Sequence, residues 1–169
     1  IITGGLGYIG TELCKIYSGI SWNNKITVID NRFISERVNQ LRNWNINFVQ
    51  GDILDKELIN KHCREADIIH HLAGITDVPR VKSESNETND KKIKLVAEEG
   101  TQNILNAMSN KCKIILPSTH VVYEGITEVK NDILENEQTK PILSYAASKA
   151  INEEQLKKSG KNYIILRLG

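Results

Sequence analysis

Tyr145 and Lys149 are the two side chains with the clearest capacity for chemistry. They stand four residues apart in the order Tyr-Ala-Ala-Ser-Lys, in a segment whose pattern predicts a helix over Ile142–Ser159, so they share one helix face. A phenol with a pKa of about 10 is a poor base at neutral pH, but a neighbouring ammonium favours the phenolate and lowers that pKa. The pair is therefore typical of proton exchange with a substrate hydroxyl. An isolated pair at this spacing also occurs on solvated helix faces.

A glycine-rich turn occupies residues 3–10, with the sequence TGGLGYIG. Gly5, Gly7 and Gly10 satisfy the spacing GxGxxG, and Gly4 with the last two satisfies GxxGxxG. The turn follows a predicted strand and opens a predicted helix, which is the context that the motif requires. Glycines let backbone amides approach a pyrophosphate, and the helix N-terminus adds unpaired N–H groups and partial positive charge. The turn predicts a dinucleotide site, with a purely structural turn as the alternative.

Asp30 ends the second predicted strand, twenty residues after Gly10. A carboxylate at this position can accept hydrogen bonds from the adenosine ribose hydroxyls. It would also repel a 2′-phosphate, so NAD is favoured over NADP. Arg32 weakens this preference because a cation two residues away attracts a phosphate.

These residues need a scaffold, and short apolar runs alternate with helical patterns along the whole chain. Unbroken apolar runs suit strands that are buried on both faces, and strand–helix alternation implies a parallel sheet with right-handed crossovers. The predicted fold is therefore α/β, a doubly wound parallel sheet (Rossmann fold). The predicted strands are Ile1–Thr3, Lys25–Asp30, Ile46–Gln50, Ala66–His71, Lys113–Pro117 and Asn162–Leu168. The predicted helices are Tyr8–Ser18, Ser35–Trp44, Lys56–Cys63, Asp90–Asn110 and Ile142–Ser159.

The composition is that of an ordinary globular domain. The 169 residues are 40% hydrophobic and 25% charged, with a net charge of +1, so no nucleic acid or membrane partner is expected. Cys14, Cys63 and Cys112 lack zinc spacing, which indicates buried free thiols in a reducing cytoplasm. His70 and His71 would point to opposite faces of a strand with no third ligand, so no metal site is predicted.

An ordered set of motifs resembles the extended short-chain dehydrogenase/reductase family, also called the NAD-dependent epimerase/dehydratase family. The resemblance extends over essentially all 169 residues, and the glycine turn and Asp30-Asn31 look like those of nucleotide-sugar epimerases. Besides the glycine turn and the Tyr–Lys pair, the matching segments follow the family's order and approximate spacing. They are Asp30-Asn31, Gly51-Asp52-Ile53, His71-Leu72-Ala73-Gly74, Gly100-Thr101-Gln102-Asn103-Ile104-Leu105 and Ser118-Thr119-His120-Val121-Val122-Tyr123.

The resemblance implies NAD as cofactor and assigns roles to particular residues. It places Thr119, Tyr145 and Lys149 in the catalytic positions, with Lys149 also contacting the nicotinamide ribose. The pyrophosphate is expected near the opening of the first helix. The implied cofactor-binding residues are Gly4, Gly7, Tyr8, Ile9, Gly10, Asp30, Asn31, Asp52, Ile53, Leu72, Ala73, Gly74, Tyr145 and Lys149.

The residues after Thr119 narrow the reaction that the resemblance implies. Family members that eliminate water carry an acidic pair there, and decarboxylases carry a glutamate, whereas this chain has His120 and Val121. Epimerisation, by transient oxidation of a sugar hydroxyl to a ketone and re-reduction, needs neither acid. The alternatives are a reductase or dehydrogenase of the same family, and a non-catalytic NAD-binding regulator. The family's usual Asn, three residues before the Gly-Thr pair, is replaced by Ala97.

The whole chain, residues 1–169, is expected to be an NAD-binding domain that is incomplete at both ends. It starts inside a predicted strand and stops just after another, so the substrate-binding part is expected beyond residue 169. The resemblance implies a homodimer, formed through the helices Asp90–Asn110 and Ile142–Ser159, and a nucleotide-sugar substrate, and the cysteine pattern predicts a cytoplasmic location. The polar stretches Thr76–Asp90 and Glu124–Lys140 follow strands and are expected either at the ligand edge of the sheet or as plain solvated loops.

Overall fold

The computed structural model describes residues 1–20, 25–76, 86–128 and 132–169. Its centre is a sheet of six strands in the order β3-β2-β1-β4-β5-β6, in which every neighbouring pair is parallel. The chain runs outward from β1 in both directions, so the predicted doubly wound sheet is confirmed. The strands are β1 (Ile2–Thr3), β2 (Thr27–Asp30), β3 (Asn47–Gln50), β4 (Ile68–His71), β5 (Lys113–Thr119) and β6 (Asn162–Leu168).

Helices connect the strands, and one of them differs from the sequence prediction. The segment predicted as a single helix over Asp90–Asn110 is divided into two α-helices by a π-helical turn at Val96–Gly100. A short 3₁₀ turn, His120–Tyr123, follows β5. The α-helices are α1 (Tyr8–Ser18), α2 (Ser35–Asn43), α3 (Lys56–Cys63), α4 (Glu87–Leu95), α5 (Thr101–Ala107) and α6 (Ser144–Lys158).

Both faces of the sheet are covered by buried apolar clusters. Alternate residues of a strand point to opposite faces, and Val28 and Ile29 of β2 accordingly belong to different clusters. One cluster joins the sheet to α3, α5 and α6, and the other joins it to α1 and α2. The three cysteines are free and buried, and burial raises the pKa of Cys14 and Cys63 to about 11, so both remain thiols.

Strand β6 forms one border of the sheet. Its Ile165 packs on the core and its Arg167 is 14% exposed, whereas Ile164, Leu166 and Leu168 are 39%, 45% and 46% exposed. Because strand residues alternate between faces, these three form an apolar stripe on one face of the border strand.

All strands are parallel, so the loops after β1, β2, β4 and β5 lie at the same carboxyl edge of the sheet, which is the edge where open α/β sheets bind ligands. Within the described residues, no helix has the length and apolar character needed to cross a membrane. Of the two polar stretches expected at this edge, residues 77–85 and 129–131 lie outside the described residues.

Candidate active site

The glycine turn depends on close contacts between backbone segments. Gly4 has φ +68°, and a Cβ there would lie 2.7 Å from the backbone nitrogen of Ala73. A Cβ on Gly10 would lie 2.6 Å from the Cα of Gly5, so helix α1 can start directly against the turn only with glycine at this position. The Gly4 N–H donates to the Ile29 carbonyl at 2.7 Å. Both positions therefore require glycine.

The N-terminus of α1 offers a site that fits a pyrophosphate. Gly7 precedes the helix in an extended conformation, and no side chain caps the helix there. The first N–H groups of a helix have no partner within it, and they attract anions. Tyr8 and Ile9, the first helical residues, are 86% and 55% exposed, so side chains do not cover this helix end. The donor set fits the phosphates of a dinucleotide.

Asp30 lies beside this turn at the end of β2. The residue is 4% exposed, and its Oδ2 accepts a hydrogen bond from the Leu6 N–H at 3.0 Å. Arg32 folds back on the same carboxylate, with its Nε 3.2 Å from Oδ1 and its Nη2 3.3 Å from Oδ2. The predicted ribose acceptor is therefore adjacent to the glycine turn, and it is paired with a guanidinium.

Asn31 and Asp52 join the ends of β2 and β3. The Asn31 Nδ2 donates to Asp52 Oδ2 at 2.9 Å, and Asp52 Oδ1 accepts from the Leu54 N–H at 3.0 Å. The buried Ile53 offers its carbonyl to the Asn103 side chain at 3.0 Å. The segment Asp52-Ile53, predicted to bind the cofactor, is thus fixed from α5, which gives Asn103 a structural role that the sequence motif did not reveal.

The segment after β4 lies against the glycine turn. The Leu72 N–H donates to the Thr3 carbonyl at 3.1 Å, and the Ala73 N–H donates to Thr3 Oγ1 at 3.3 Å. Gly74 is exposed, and a Cβ there would meet no atom within 4 Å. The predicted cofactor residues of this segment therefore border the turn that fits the pyrophosphate.

A chain of buried hydrogen bonds runs from this turn to helix α6. His71 Nδ1 is 2.9 Å from Thr3 Oγ1, and His71 Nε2 is 2.9 Å from Thr101 Oγ1. The Asn152 Nδ2 donates to Thr101 Oγ1 at 2.8 Å and to the Ala97 carbonyl at 2.9 Å. Burial, reinforced by the charge of Lys149, lowers the pKa of His71 to about 3, so the ring is neutral.

These buried hydrogen bonds involve two residues whose surroundings the sequence did not predict. Ala97 occupies the position of the family's usual Asn, and its carbonyl lies in the π-helical turn, where it accepts the bond from Asn152. The Asn152 side chain of α6 therefore contacts the segment in which the family's usual asparagine is absent. The sequence predicted only that His71 ends a strand and is not part of a metal site, so its two buried threonine partners were not foreseen.

Tyr145 and Lys149 share a face of α6, as predicted. The Lys149 Nζ is 6.0 Å from the centre of the Tyr145 ring and donates to the Pro117 carbonyl at 3.1 Å. Burial lowers the pKa of Lys149 to about 8. Burial also raises the pKa of Tyr145, contrary to the expected lowering, so this structure favours the protonated phenol.

Thr119 ends β5, two residues after the carbonyl that holds Lys149. It is 8% exposed, and its Oγ1 accepts a hydrogen bond from the Val121 N–H at 3.3 Å, which caps the 3₁₀ turn. His120 is exposed, and its Nδ1 donates to the Leu168 carbonyl at 3.2 Å. The hydroxyl of Thr119 therefore lies at the carboxyl edge of the sheet, while the His120 ring is held against β6.

A buried ion pair one helical turn beyond Lys149 was not predicted. Glu153 is 1% exposed and accepts from Ser118 Oγ at 2.6 Å and from Arg167 Nε at 2.9 Å. Burial opposes its ionisation, but the hydrogen bonds from Arg167 and Ser118 outweigh burial and hold the Glu153 pKa below its usual range. Tyr145, Lys149 and Glu153 are spaced by four, so the i, i+4, i+8 periodicity of α6 was the one sequence signal that could have placed Glu153 on the same helix face.

The other histidine of β4, His70, contacts Tyr17 of α1. His70 Nε2 is 2.8 Å from the Tyr17 hydroxyl, and the two rings pack edge to face at 5.7 Å. In the described parts of the chain, no group of three or more His, Cys, Asp or Glu side chains is placed to hold a metal ion.

Comparison with known proteins gives relatives of three reaction types. The chain is 32% identical over 164 residues to a UDP-N-acetyl-alpha-D-glucosaminuronate decarboxylase from Bacillus cytotoxicus, covering 90% of this chain and 47% of that protein. It is 31% identical over 180 residues to a dTDP-D-glucose 4,6-dehydratase from Dictyostelium discoideum, covering 96% of this chain and 40% of that protein. The chain therefore spans less than half the length of these two curated relatives.

Among solved structures, it resembles UDP-glucose 4-epimerase from Brucella ovis, determined in complex with NAD. The TM-score is 0.78 at 27% identity, with 98% of this chain and 50% of that chain covered. The model of the 3-beta hydroxysteroid dehydrogenase/isomerase family matches residues 1–165. With the glycine turn, Asp30 and the Tyr145–Lys149 pair placed along one sheet edge, the chain belongs to this family of epimerase- and dehydratase-related proteins.

Proposed function

We propose that this chain is the NAD-binding half of an enzyme that modifies a nucleotide sugar, and that its reaction is epimerisation. The observation that carries the proposal is that a dinucleotide site and a potential acid–base pair lie at the same carboxyl edge of the sheet. The glycine turn and Asp30 fit a dinucleotide. Lys149, which shares a face of α6 with Tyr145, is bonded to Pro117 of β5, two residues before Thr119. Dinucleotide site and acid–base pair thus share a single edge.

The glycine turn and Asp30 would hold NAD, which would supply reversible hydride transfer at the sugar carbon. The chain's own residues perform the proton transfers. Tyr145 takes the proton of the substrate hydroxyl and later returns it, and the Thr119 hydroxyl orients that oxygen. Lys149 holds its ammonium near the phenol, which favours the phenolate once a second positive charge arrives with the nicotinamide.

Epimerisation is preferred over dehydration because of the residues that follow Thr119. Elimination of water needs an acid and a base placed on the sugar. Val121 cannot transfer a proton, and the His120 ring is directed to the Leu168 carbonyl. Epimerisation requires only Thr119, Tyr145, Lys149 and the cofactor.

Product mass distinguishes the candidate reactions. The full-length protein with NAD would be incubated with UDP-glucose, UDP-N-acetylglucosamine, UDP-glucuronate and dTDP-glucose, and products would be separated and weighed by mass spectrometry. An epimer retains the mass of its substrate but elutes separately, whereas a dehydratase product lacks one water and a decarboxylase product lacks carbon dioxide. A product of lower mass, or turnover of none of these substrates, would overturn the epimerase proposal.

A second candidate is a dehydrogenase or reductase of the same family, which the description of the matching family favours. An epimerase regenerates its cofactor within each turnover, so it causes no net change in NADH absorbance. Stoichiometric oxidation of NADH by a ketone substrate would support this second candidate.

A further inference from the structure

The carboxylate of Asp30 has all its acceptor positions in use. Oδ1 accepts from the Arg32 backbone N–H at 3.0 Å and from Arg32 Nε at 3.2 Å. Oδ2 accepts from the Leu6 N–H at 3.0 Å and from Arg32 Nη2 at 3.3 Å. An ionised carboxylate has about four lone-pair positions, so no position is left for a ribose hydroxyl.

Only the contacts of the Arg32 side chain can be released without moving the fold. The Leu6 and Arg32 N–H groups are fixed by the backbone, whereas the Arg32 side chain is 56% exposed, against 3% for Asp30. Solvent reaches and screens the guanidinium, so the Arg32 side chain can rotate into water while the buried carboxylate stays in place. Two ribose hydroxyls can then take the positions that Nε and Nη2 leave.

Resting on the proposed function, we propose that Arg32 sets the nucleotide preference of this chain by competing with the adenosine ribose for Asp30. The competition lowers the affinity for NAD, because NAD must displace the guanidinium to reach the carboxylate. The same guanidinium cancels the charge that Asp30 presents to a 2′-phosphate, so it favours NADP relative to NAD. Arg32 therefore lowers the preference for NAD over NADP that Asp30 alone would give.

The neighbouring cation Arg37 has different partners and does not take part in this competition. Its Nη1 donates to the Leu6 carbonyl, and its guanidinium lies 5.0 Å from the centre of the Tyr8 ring. Arg37 therefore faces the region shared by both nucleotides, whereas Arg32 faces the position where they differ.

The test measures the dissociation constants of NAD and NADP by calorimetry on full-length protein from which bound nucleotide has been removed. Arg32→Met keeps the aliphatic stem and removes the donors. This variant should bind NAD up to about fivefold more tightly, the scale of a solvent-screened ion pair, and should bind NADP more weakly. Arg42→Met, an exposed arginine of α2, removes the same charge away from Asp30 and should leave the ratio of the two constants unchanged.

A second pair of variants tests whether Arg32 acts through Asp30. Asp30→Ala should weaken NAD binding by about tenfold or more. When Asp30 is already replaced, Arg32→Met should no longer tighten NAD binding. The inference is overturned if Arg32→Met weakens NAD or leaves it unchanged, or if it tightens NAD equally without Asp30. A parent protein that binds neither nucleotide would instead overturn the proposed function, and this inference with it.

Discussion

At the scale of single residues, the candidate site rests on the protonation of a tyrosine and a lysine. Both are affected by burial, which favours the neutral form of each: the pKa of Tyr145 is raised and that of Lys149 is lowered to about 8. The structure therefore favours a proton on the phenol while the lysine stays largely charged at neutral pH. A bound cationic nicotinamide would shift this balance towards the phenolate.

Tyr145→Phe should lower kcat of the full-length protein by about a hundredfold or more, because it removes the hydroxyl that we propose exchanges the substrate proton. NAD affinity should stay nearly constant, since the ring remains. Tyr163→Phe, which removes an exposed hydroxyl from β6, is the matched control and should keep full activity. If the Tyr145→Phe variant retained most of its kcat, the proton-transfer role would have to be abandoned.

Lys149→Met should stabilise the protein while impairing turnover. The buried ammonium costs about 3 kcal/mol, from the difference between a pKa of 10.5 and one of about 8, and the lost bond to the Pro117 carbonyl offsets about 1 kcal/mol. We expect a gain of about 2 kcal/mol in the free energy of unfolding at pH 7, measured by urea denaturation.

The stability gain of Lys149→Met over the parent should become smaller as the pH rises. Between pH 8 and 10.5 the folded parent has lost the Lys149 proton while the unfolded chain retains it, so the parent's stability increases with pH. Lys158→Met, on the exposed end of α6, should show neither effect. A Lys149→Met protein less stable than the parent at pH 7 would contradict the proposed cost of burial.

At the scale of secondary-structure elements, the buried hydrogen-bond chain through His71 connects β1, β4, α5 and α6. A neutral, fully buried histidine makes the fold sensitive to acid, since the unfolded chain binds a proton below pH 6.5 that the folded chain does not bind until about pH 3. This residue therefore removes stability as the pH falls through that interval.

His71→Gln tests this effect, because glutamine can hydrogen-bond to both threonines but does not titrate. Between pH 7 and pH 5 the parent should lose about 2 kcal/mol more unfolding free energy than the variant. The comparison would use urea denaturation at several pH values, with His120→Gln as an exposed control. Equal pH dependence in parent and variant would mean that His71 is protonated in the folded state.

The elements differ in how far the sequence predicts them. All six strands and most helices follow from apolar runs and local periodicity, because each is encoded by its own residues. The π-helical turn was missed since it involves Asn152, whose side chain reaches the Ala97 carbonyl from another helix. The Glu153–Arg167 pair was missed for the same reason: the two residues meet only when α6 packs beside β6. Local motifs placed Tyr145, Lys149 and Asp30, but the pairing of Asp30 with Arg32 required the structure.

At the scale of the whole molecule, the homodimer implied by the resemblance remains a prediction. A groove of about 810 Å³ lies between the π-helical turn, α5 and α6, on the helices through which association is expected. Its apolar lining has a rim of charged residues, a composition that suits an interface. The apolar residues are Leu105, Pro141, Ala147, Ala150 and Ile151.

Ala150→Glu would place a charge in this groove without lowering helix propensity greatly. We expect the full-length parent to sediment as a dimer at micromolar concentration and the variant to sediment as a monomer, because an unpaired charge is costly to bury. Gln40→Glu, on the exposed surface of α2, adds the same charge elsewhere and should leave the dimer intact. A parent that sediments as a monomer would disprove the prediction.

The apolar stripe on β6 has a consequence for handling the protein. A border strand offers unpaired backbone groups, and here Ile164, Leu166 and Leu168 add exposed apolar side chains next to them. In any state where nothing covers it, this border is a template for strand addition between molecules. The 169-residue segment produced by itself should therefore form sheet-rich aggregates, with turbidity that rises with concentration. Leu166→Lys should suppress them, since a lysine on a border strand opposes edge-to-edge pairing, whereas Leu134→Lys, which removes another exposed leucine, should not.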